Sequence, residues 1–215
     1  MLQNLFKNMG DVTKNLLIIN VLFFVAKVGL EARGIDLGQM LGMHYLSSPY
    51  FEPYQIATHF FMHANIGHIF FNMFALVMMG SHLERYWGAK RYLIFYFVTA
   101  FGAALLHFGV QGIEIYNATG EFFPKSSILD VDFKTGQFSY DPSVKGSLFI
   151  ANMYLGTVVG ASGAIYGLLM AFAMLFPNTQ FMLLFPPIPI KAKWMALGLG
   201  LYALYSGYAN NPGRF

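Results

Sequence analysis

The sequence contains no cysteine and few charged residues. The absence of Cys among 215 residues excludes disulfide bonds and thiolate metal sites. Asp, Glu, Lys and Arg make up only 11% of the chain, whereas soluble domains contain about 25%. Hydrophobic residues account for 56% of the chain, and the mean hydropathy is +0.51. This composition predicts an integral membrane protein whose surroundings are a lipid bilayer.

The basic residues do not form the kind of cluster that binds nucleic acid. The formal net charge is +3, and the Lys and Arg residues occur in ones and twos along the chain. A nucleic-acid interface requires a contiguous basic patch. We therefore predict no nucleic-acid partner, and no sequence motif indicates a cofactor.

Five apolar stretches are interpreted as membrane spans, for which about 20 apolar residues per helix are needed. They cover residues 16–30, 66–79, 92–110, a part of 147–176, and 194–208. The stretch 147–176 is too long for one helix and contains several glycines. Residues 31–57 and 111–147 are predicted as loops, the second of them outside the membrane. The expected fold is a single all-α domain over residues 1–215, a polytopic membrane helical bundle.

The distribution of charge predicts the orientation of these spans. With the N-terminus in the cytoplasm, the inner segments hold seven Lys and Arg residues against two acids, and the outer segments five against eight. Short loops rich in Lys and Arg remain on the cytoplasmic side. The N-terminus is therefore predicted to lie inside the cell.

Polar residues in the spans are concentrated in two clusters, and such residues are functional candidates by default. The first contains His63, His68 and Asn72. Because His68 and Asn72 are four residues apart, they share one face of a helix, and both side chains can donate hydrogen bonds to an oxyanion. Hydrogen bonding between helices is the alternative interpretation of this pair.

The second cluster is Gly160-Ala161-Ser162-Gly163, in which Ser162 is the candidate nucleophile. Flanking glycines let a substrate carbonyl approach the serine closely. A serine at the start of a helix also lies beside unpaired N–H groups that can bind an oxyanion. The alternative is helix packing, since Gly163 and Gly167 form a G-x-x-x-G pattern.

A zinc site built from His59, His63 and His68 is a further alternative. His59 and His63 have the spacing of two ligands, but His68 lies about 180° around a continuous helix from His59 at 100° per residue. The glutamate of the zinc-protease motif is also missing between His59 and His63. We therefore predict no metal.

Taken together, these residues resemble the rhomboid family of intramembrane serine proteases. The pattern consists of His63, His68 and Asn72, then Glu84-Arg85-x-Trp87-Gly88, then Gly160-x-Ser162-Gly163 with Tyr166 one turn later. The order and spacing agree over roughly residues 15–210. The resemblance implies a rhomboid-like fold in a membrane, most simply the bacterial cytoplasmic membrane.

The resemblance also implies a role for each residue of the pattern. Ser162 is the nucleophile, and His68 and Asn72, together with the amide of Ser162, form the oxyanion hole. Tyr166 packs against the catalytic histidine, and His63 supports the loop between the first two spans. Glu84 and Arg85 match a structural pair, and residues before Ser162 match a loop that descends into the membrane.

One element of the family pattern has no counterpart in this sequence. The family's general base is a histidine on a sixth span, whereas all six histidines here precede Ser162. We therefore expect five of the six core spans in residues 1–215, and an inactive chain for lack of the base. Two interpretations follow: a fragment of a protease that cleaves single-span transmembrane substrates, or a non-catalytic relative that binds transmembrane helices.

Overall fold

A computed structural model describes residues 9–133, 135, 137–182 and 188–209. The helices are α1 (Asp11–Glu31), α2 (Leu37–Leu41), α3 (Gln55–Thr58), α4 (Ile66–Trp87), α5 (Ala89–Thr119), α6 (Ser147–Leu155), α7 (Ser162–Leu175) and α8 (Ala192–Ala209). A 3₁₀ turn, His59–Phe61, follows α3. The strands are β1 (Ile128–Asp132), β2 (Gln137–Tyr140), β3 (Gln180–Met182) and β4 (Pro189–Lys191).

The long apolar helices agree with the predicted spans. Among the described residues, α1, α4 and α5 are long and apolar enough to cross a membrane, and α7 is a shorter apolar helix. The predicted spans 16–30 and 66–79 lie within α1 and α4, and the span 194–208 lies within α8. The protein is therefore a mostly helical, multi-pass membrane protein.

The third predicted span was too short at its C-terminal end. Helix α5 has 31 residues and continues to Thr119, so residues 111–119 are helical and do not belong to a loop. The helix ends at Gly120, which has a φ of +91° and donates its N–H to the Tyr116 carbonyl at 2.7 Å. Glycine in this left-handed conformation is a common helix terminator, whereas Gly102, Gly109 and Gly112 are accommodated within α5 without a positive φ.

The stretch 147–176 is divided into two helices, as its length predicted. Residues 156–161 separate α6 from α7, and Val158 forms two backbone hydrogen bonds with Met43, both 2.9 Å. The remaining strands form two antiparallel hairpins, β1 with β2 and β3 with β4. Both hairpins lie in connections between helices and were not predicted.

The chain consists of two compact units. The first contains residues Met1–Leu17, Asn72–Ala100 and Ser162–Phe215, and the second contains Ile18–Phe71 and Phe101–Ala161. The fully buried side chains of the first unit include Leu76, Leu83, Tyr92, Leu168 and Phe172. Those of the second include a cluster of Tyr45, Ile115, Ile150 and Tyr154.

A close helix contact in the first unit depends on Gly167. A β-carbon at this position would lie 2.6 Å from Cβ of Thr99 on α5, so that even a methyl group forces the two helices apart. We expect Gly167→Ala to lower the free energy of unfolding by about 2 kcal/mol, the usual cost of overpacking a well-packed site. Unfolding by titration with SDS, followed by circular dichroism, measures the change.

Gly198 on α8 provides the matched control for this substitution. No atom lies within 4 Å of a β-carbon built at Gly198, and alanine is the better helix former. Gly198→Ala is therefore expected to be neutral or slightly stabilising. Equal losses in the two variants would contradict the packing role of Gly167.

Candidate active site

The first turn of α4 is fixed by an asparagine cap. Asn65 precedes the helix, and its side-chain oxygen accepts the N–H of His68 at 2.9 Å. Asn is among the preferred N-cap residues because it satisfies one of the unpaired N–H groups of the first turn. His68 is therefore held in the first turn of α4, where it is partly buried. The cap was not identified from the sequence, although Asn directly before an apolar run is a recognised signal.

His63 lies next to His68. The centroids of the two imidazole rings are 5.1 Å apart, and the rings meet edge to face. His63 is fully buried, and its Nδ1 is 3.3 Å from the Phe61 carbonyl. Nδ1–H therefore donates to that carbonyl, which leaves Nε2 as the unprotonated nitrogen. Nε2 is buried without a hydrogen-bond partner among the described residues.

Burial and, secondarily, the neighbouring His68 lower the pKa of His63 to about 4, against a smaller opposing effect of the Phe61 carbonyl. In the unfolded chain the ring has its ordinary pKa of about 6.5. The stabilising effect of the neutral ring is therefore complete above pH 6.5. It is lost as the pH falls from about 6.5 to about 4, over which range the free energy of unfolding should drop by roughly 3 kcal/mol.

The variant His63→Gln tests this pH dependence. Glutamine cannot take up a proton, so that the variant should lose less stability than the wild type between pH 6.5 and pH 4. Asn117 is exposed on α5, and Asn117→Ala, which removes no titratable group, serves as the control, with an unchanged slope expected. Unfolding by SDS at a series of pH values measures both slopes; parallel curves for wild type and His63→Gln would contradict the role of His63.

Asn72 lies one turn after His68 on α4. Its side chain is only 6% exposed, and the amide nitrogen has no hydrogen-bond partner among the described residues. Buried amide groups in native proteins are nearly always hydrogen-bonded, and each exception requires an explanation. A donor kept free for a ligand is one such explanation.

Ser162 is the first residue of α7, as the sequence predicted for a nucleophile at the start of a helix. Two residues earlier, Gly160 has a φ of +116°, a conformation that glycine tolerates far better than other residues. The N–H of Gly160 donates to the His59 carbonyl at 2.9 Å. The extended segment before Ser162 is thus attached to the 3₁₀ turn that precedes His63.

The remaining residues of the Gly-x-Ser-Gly cluster are exposed to different degrees. Gly163 is partly buried, and Tyr166, one turn after Ser162, is 43% exposed. Gly167 packs closely against Thr99. A packing role for the second glycine of the G-x-x-x-G pattern is therefore compatible with a chemical role for the serine.

Glu84 is bound to the first turn of α1. Its carboxylate accepts the N–H of Val12 at 2.9 Å and both the N–H and the hydroxyl of Thr13, at 2.9 and 2.8 Å. The adjacent Arg85 donates from Nε to the Ser81 carbonyl at 3.1 Å. These contacts give Glu84 a structural role at the N-terminus of a helix, a position that favours negative charge.

The described part of the chain contains no group of three or more His, Cys, Asp or Glu side chains arranged to hold a metal ion. Nδ1 of His59 is instead 2.8 Å from the Gln55 carbonyl. The His59 side chain therefore forms a hydrogen bond to the backbone one turn earlier.

Comparison with known proteins decides the family. The profile of the rhomboid domain matches residues 50–120 and 135–211. The chain belongs to the rhomboid family.

Individual rhomboid proteins are similar to different extents. Rhomboid protease GlpG of Yersinia pestis is 26% identical over 184 residues, which cover 80% of this chain and 65% of that protein. The protein of the same name from Yersinia pseudotuberculosis gives the same values. Rhomboid-like protein 15 of Arabidopsis thaliana is 39% identical over 67 residues, 31% of this chain and 17% of that protein. The matched regions thus span less than two thirds of each relative.

Proposed function

We propose that this rhomboid protein is an intramembrane serine endopeptidase, with Ser162 as nucleophile and with His68, Asn72 and the Ser162 amide as the oxyanion hole. The observation that carries the proposal is the buried amide nitrogen of Asn72, one turn from His68 on α4, which has no hydrogen-bond partner in the part of the chain that the structure describes. A free N–H donor in a buried site stabilises developing negative charge strongly, because little solvent reorganisation is required.

The chemistry assigned to the serine is acyl transfer. The Ser162 oxygen attacks the carbonyl carbon of the scissile peptide, and its proton passes to a base. The carbonyl oxygen becomes an oxyanion bound by the proposed donors. When the tetrahedral intermediate collapses, the C–N bond breaks and the leaving amine takes the proton; water then hydrolyses the acyl-enzyme. Because every histidine of this sequence precedes Ser162, the proposal assigns the family's base to none of residues 1–215.

The length of α7 supports a substrate cleaved within the membrane. The helix has 14 residues, about 21 Å at 1.5 Å per residue, which is shorter than the hydrocarbon core of about 30 Å. If α7 ends at the cytoplasmic boundary, Ser162 lies below the outer surface of the bilayer. The proposed substrates are therefore single-span transmembrane proteins, cut near their outer membrane boundary. The proposed location is the bacterial cytoplasmic membrane with the N-terminus inside.

Covalent labelling with a fluorophosphonate tests the proposal. The full-length protein, folded in bilayer nanodiscs, is expected to be labelled at Ser162, as read by peptide mass spectrometry. Ser162→Ala should abolish labelling, while Ser206→Ala, which removes a serine hydroxyl from α8, should not. A folded protein that is never labelled at Ser162 would contradict the protease function.

A second candidate is a non-catalytic rhomboid protein that binds transmembrane helices. Residues 163–215 contain no histidine, so that none of these residues can supply the base of the family pattern. This candidate predicts that a single-span substrate peptide crosslinks to the protein but is not cleaved, even over long incubation. Cleavage that depends on Ser162 would exclude it.

A further inference from the structure

Lys27 is a cation within α1, the first apolar helix, and its surroundings are unusual for a span. Its side chain is only 12% exposed and forms an ion pair with Glu31, one turn later, at 2.7 Å. The same ammonium group donates to the backbone carbonyl of Ala64 at 3.3 Å. Charged side chains within spans are costly and are retained mainly where they have a specific partner.

The ion pair alone does not account for the position of Lys27. The pair with Glu31 neutralises the charge of Lys27 but lies entirely within α1. The contact with Ala64 adds a restraint between α1 and a segment 37 residues away in the sequence. That segment is the short linker that joins the 3₁₀ turn to α4.

A second contact from the same face of α1 reaches Phe61, the last residue of the 3₁₀ turn directly before the linker. Phe23 lies one helical turn before Lys27, so both side chains project from one face. The Phe23 ring packs on Phe61, with centroids 5.4 Å apart. Helix α1 therefore holds the chain on both sides of His63, since Phe61 precedes this histidine and Ala64 follows it.

The linker determines how α4 begins. The Phe61 carbonyl accepts a hydrogen bond from Nδ1 of His63. The side-chain oxygen of Asn65, the residue after Ala64, accepts a hydrogen bond from the His68 N–H. A displacement of Ala64 would move Asn65 and thus change the first turn of α4. Two of the hydrogen-bond donors proposed for the oxyanion hole, His68 and Asn72, lie in this turn and the next, so that a small rotation of the helix start changes their direction.

We propose that Lys27 is a positioning residue that fixes the start of α4 through the Ala64 carbonyl and thereby orients His68 and Asn72. The effect of Lys27 on the start of α4 does not depend on any protease activity, whereas its effect on catalysis rests on the proposed protease function. Nothing in the rhomboid pattern of His, Asn and Ser residues requires a cation at this position. The proposal therefore assigns a function to a residue outside that pattern.

Amide hydrogen exchange tests the effect of Lys27 on the start of α4. Lys27→Met removes the ammonium but keeps the length of the side chain, and it should accelerate exchange of the His68 amide about tenfold, the loss expected for one hydrogen bond of about 1.4 kcal/mol. Lys27→Arg can still donate to Ala64 and should remain within about twofold of the wild type. Lys14→Met, which breaks the exposed pair with Asp11 on the same helix, is the matched control and should leave His68 unchanged. If Lys27→Met does not fold, Lys27→Gln replaces it with the same expected increase.

The effect of Lys27 on catalysis is tested separately, by measuring kcat and KM. In the full-length protein, Lys27→Met should reduce kcat about tenfold at nearly constant KM, whereas Lys27→Arg should keep kcat close to the wild-type value. Faster exchange at His68 without any protease activity in the wild type would refute the proposed function and uphold the positioning role. Unchanged exchange in a folded Lys27→Met variant, or a loss that Lys27→Arg does not restore, would overturn the positioning role.

Discussion

In the full-length protein, replacement of Asn72 by alanine is expected to slow the reaction of Ser162 with a fluorophosphonate by about a hundredfold to a thousandfold, the usual cost of removing one oxyanion-hole donor. The same change should leave the free energy of unfolding nearly unchanged or raise it. The Asn72 amide nitrogen is buried and has no hydrogen-bond partner among the described residues, so that alanine removes an unsatisfied polar group and breaks no bond from that nitrogen. Deleting an unsatisfied buried group relieves a desolvation penalty.

This combination distinguishes a catalytic amide from a structural one. An asparagine that hydrogen-bonds a neighbouring helix would lose stability when truncated, since its partner would be left unpaired. The rate of fluorophosphonate incorporation and the SDS unfolding curve, measured on one preparation, give both quantities. Asn117→Ala, on the exposed part of α5, is the control and should change neither. If Asn72→Ala reacts slowly with the fluorophosphonate but is also strongly destabilised, the role of Asn72 is in packing.

The spans could be predicted from the sequence because their signal is local. An apolar run long enough to cross a bilayer is visible in composition alone, and α1, α4 and α5, which among the described residues are long and apolar enough to cross a membrane, contain three of the predicted stretches. The error in α5 has a definite physical cause. Residues 111–147 contain half of the acids of the chain and were therefore predicted as a loop, but scattered acids do not end a helix. Helix α5 continues to Thr119 and ends before Gly120, which has a positive φ.

The polar residues of the candidate site could also be named from the sequence, but their hydrogen bonds could not. His68, Asn72 and Ser162 stand out because polar groups in apolar helices are rare. The Asn65 cap is a local contact and could have been predicted. The bond from Lys27 to Ala64 spans 37 residues, and that from Glu84 to Thr13 spans 71; such pairs are set by tertiary packing, which no local pattern in a single sequence reveals.

Glu84→Ala is expected to cause a large loss of stability, about 3 kcal/mol. The carboxylate accepts three hydrogen bonds from the first turn of α1, and Glu84 and Thr13 are both buried. Alanine would leave the N–H groups of Val12 and Thr13 without an acceptor at a helix end where the dipole favours negative charge. The wild-type carboxylate thus attaches the start of the first span to α4.

Two less disruptive substitutions measure how much the charge of Glu84 and the hydroxyl bond of Thr13 each contribute to this loss of stability. Glu84→Gln keeps one acceptor oxygen but removes the charge, and it should lose roughly half as much as alanine, about 1.5 kcal/mol. Thr13→Val removes only the hydroxyl bond and should cost about 1 kcal/mol. Glu121→Ala, an exposed carboxylate beyond α5, should have no effect on SDS unfolding. If Glu84→Ala were no less stable than Thr13→Val, the backbone N–H groups of α1 would not depend on the carboxylate, and the attachment would have to come from the apolar contacts of α1 alone.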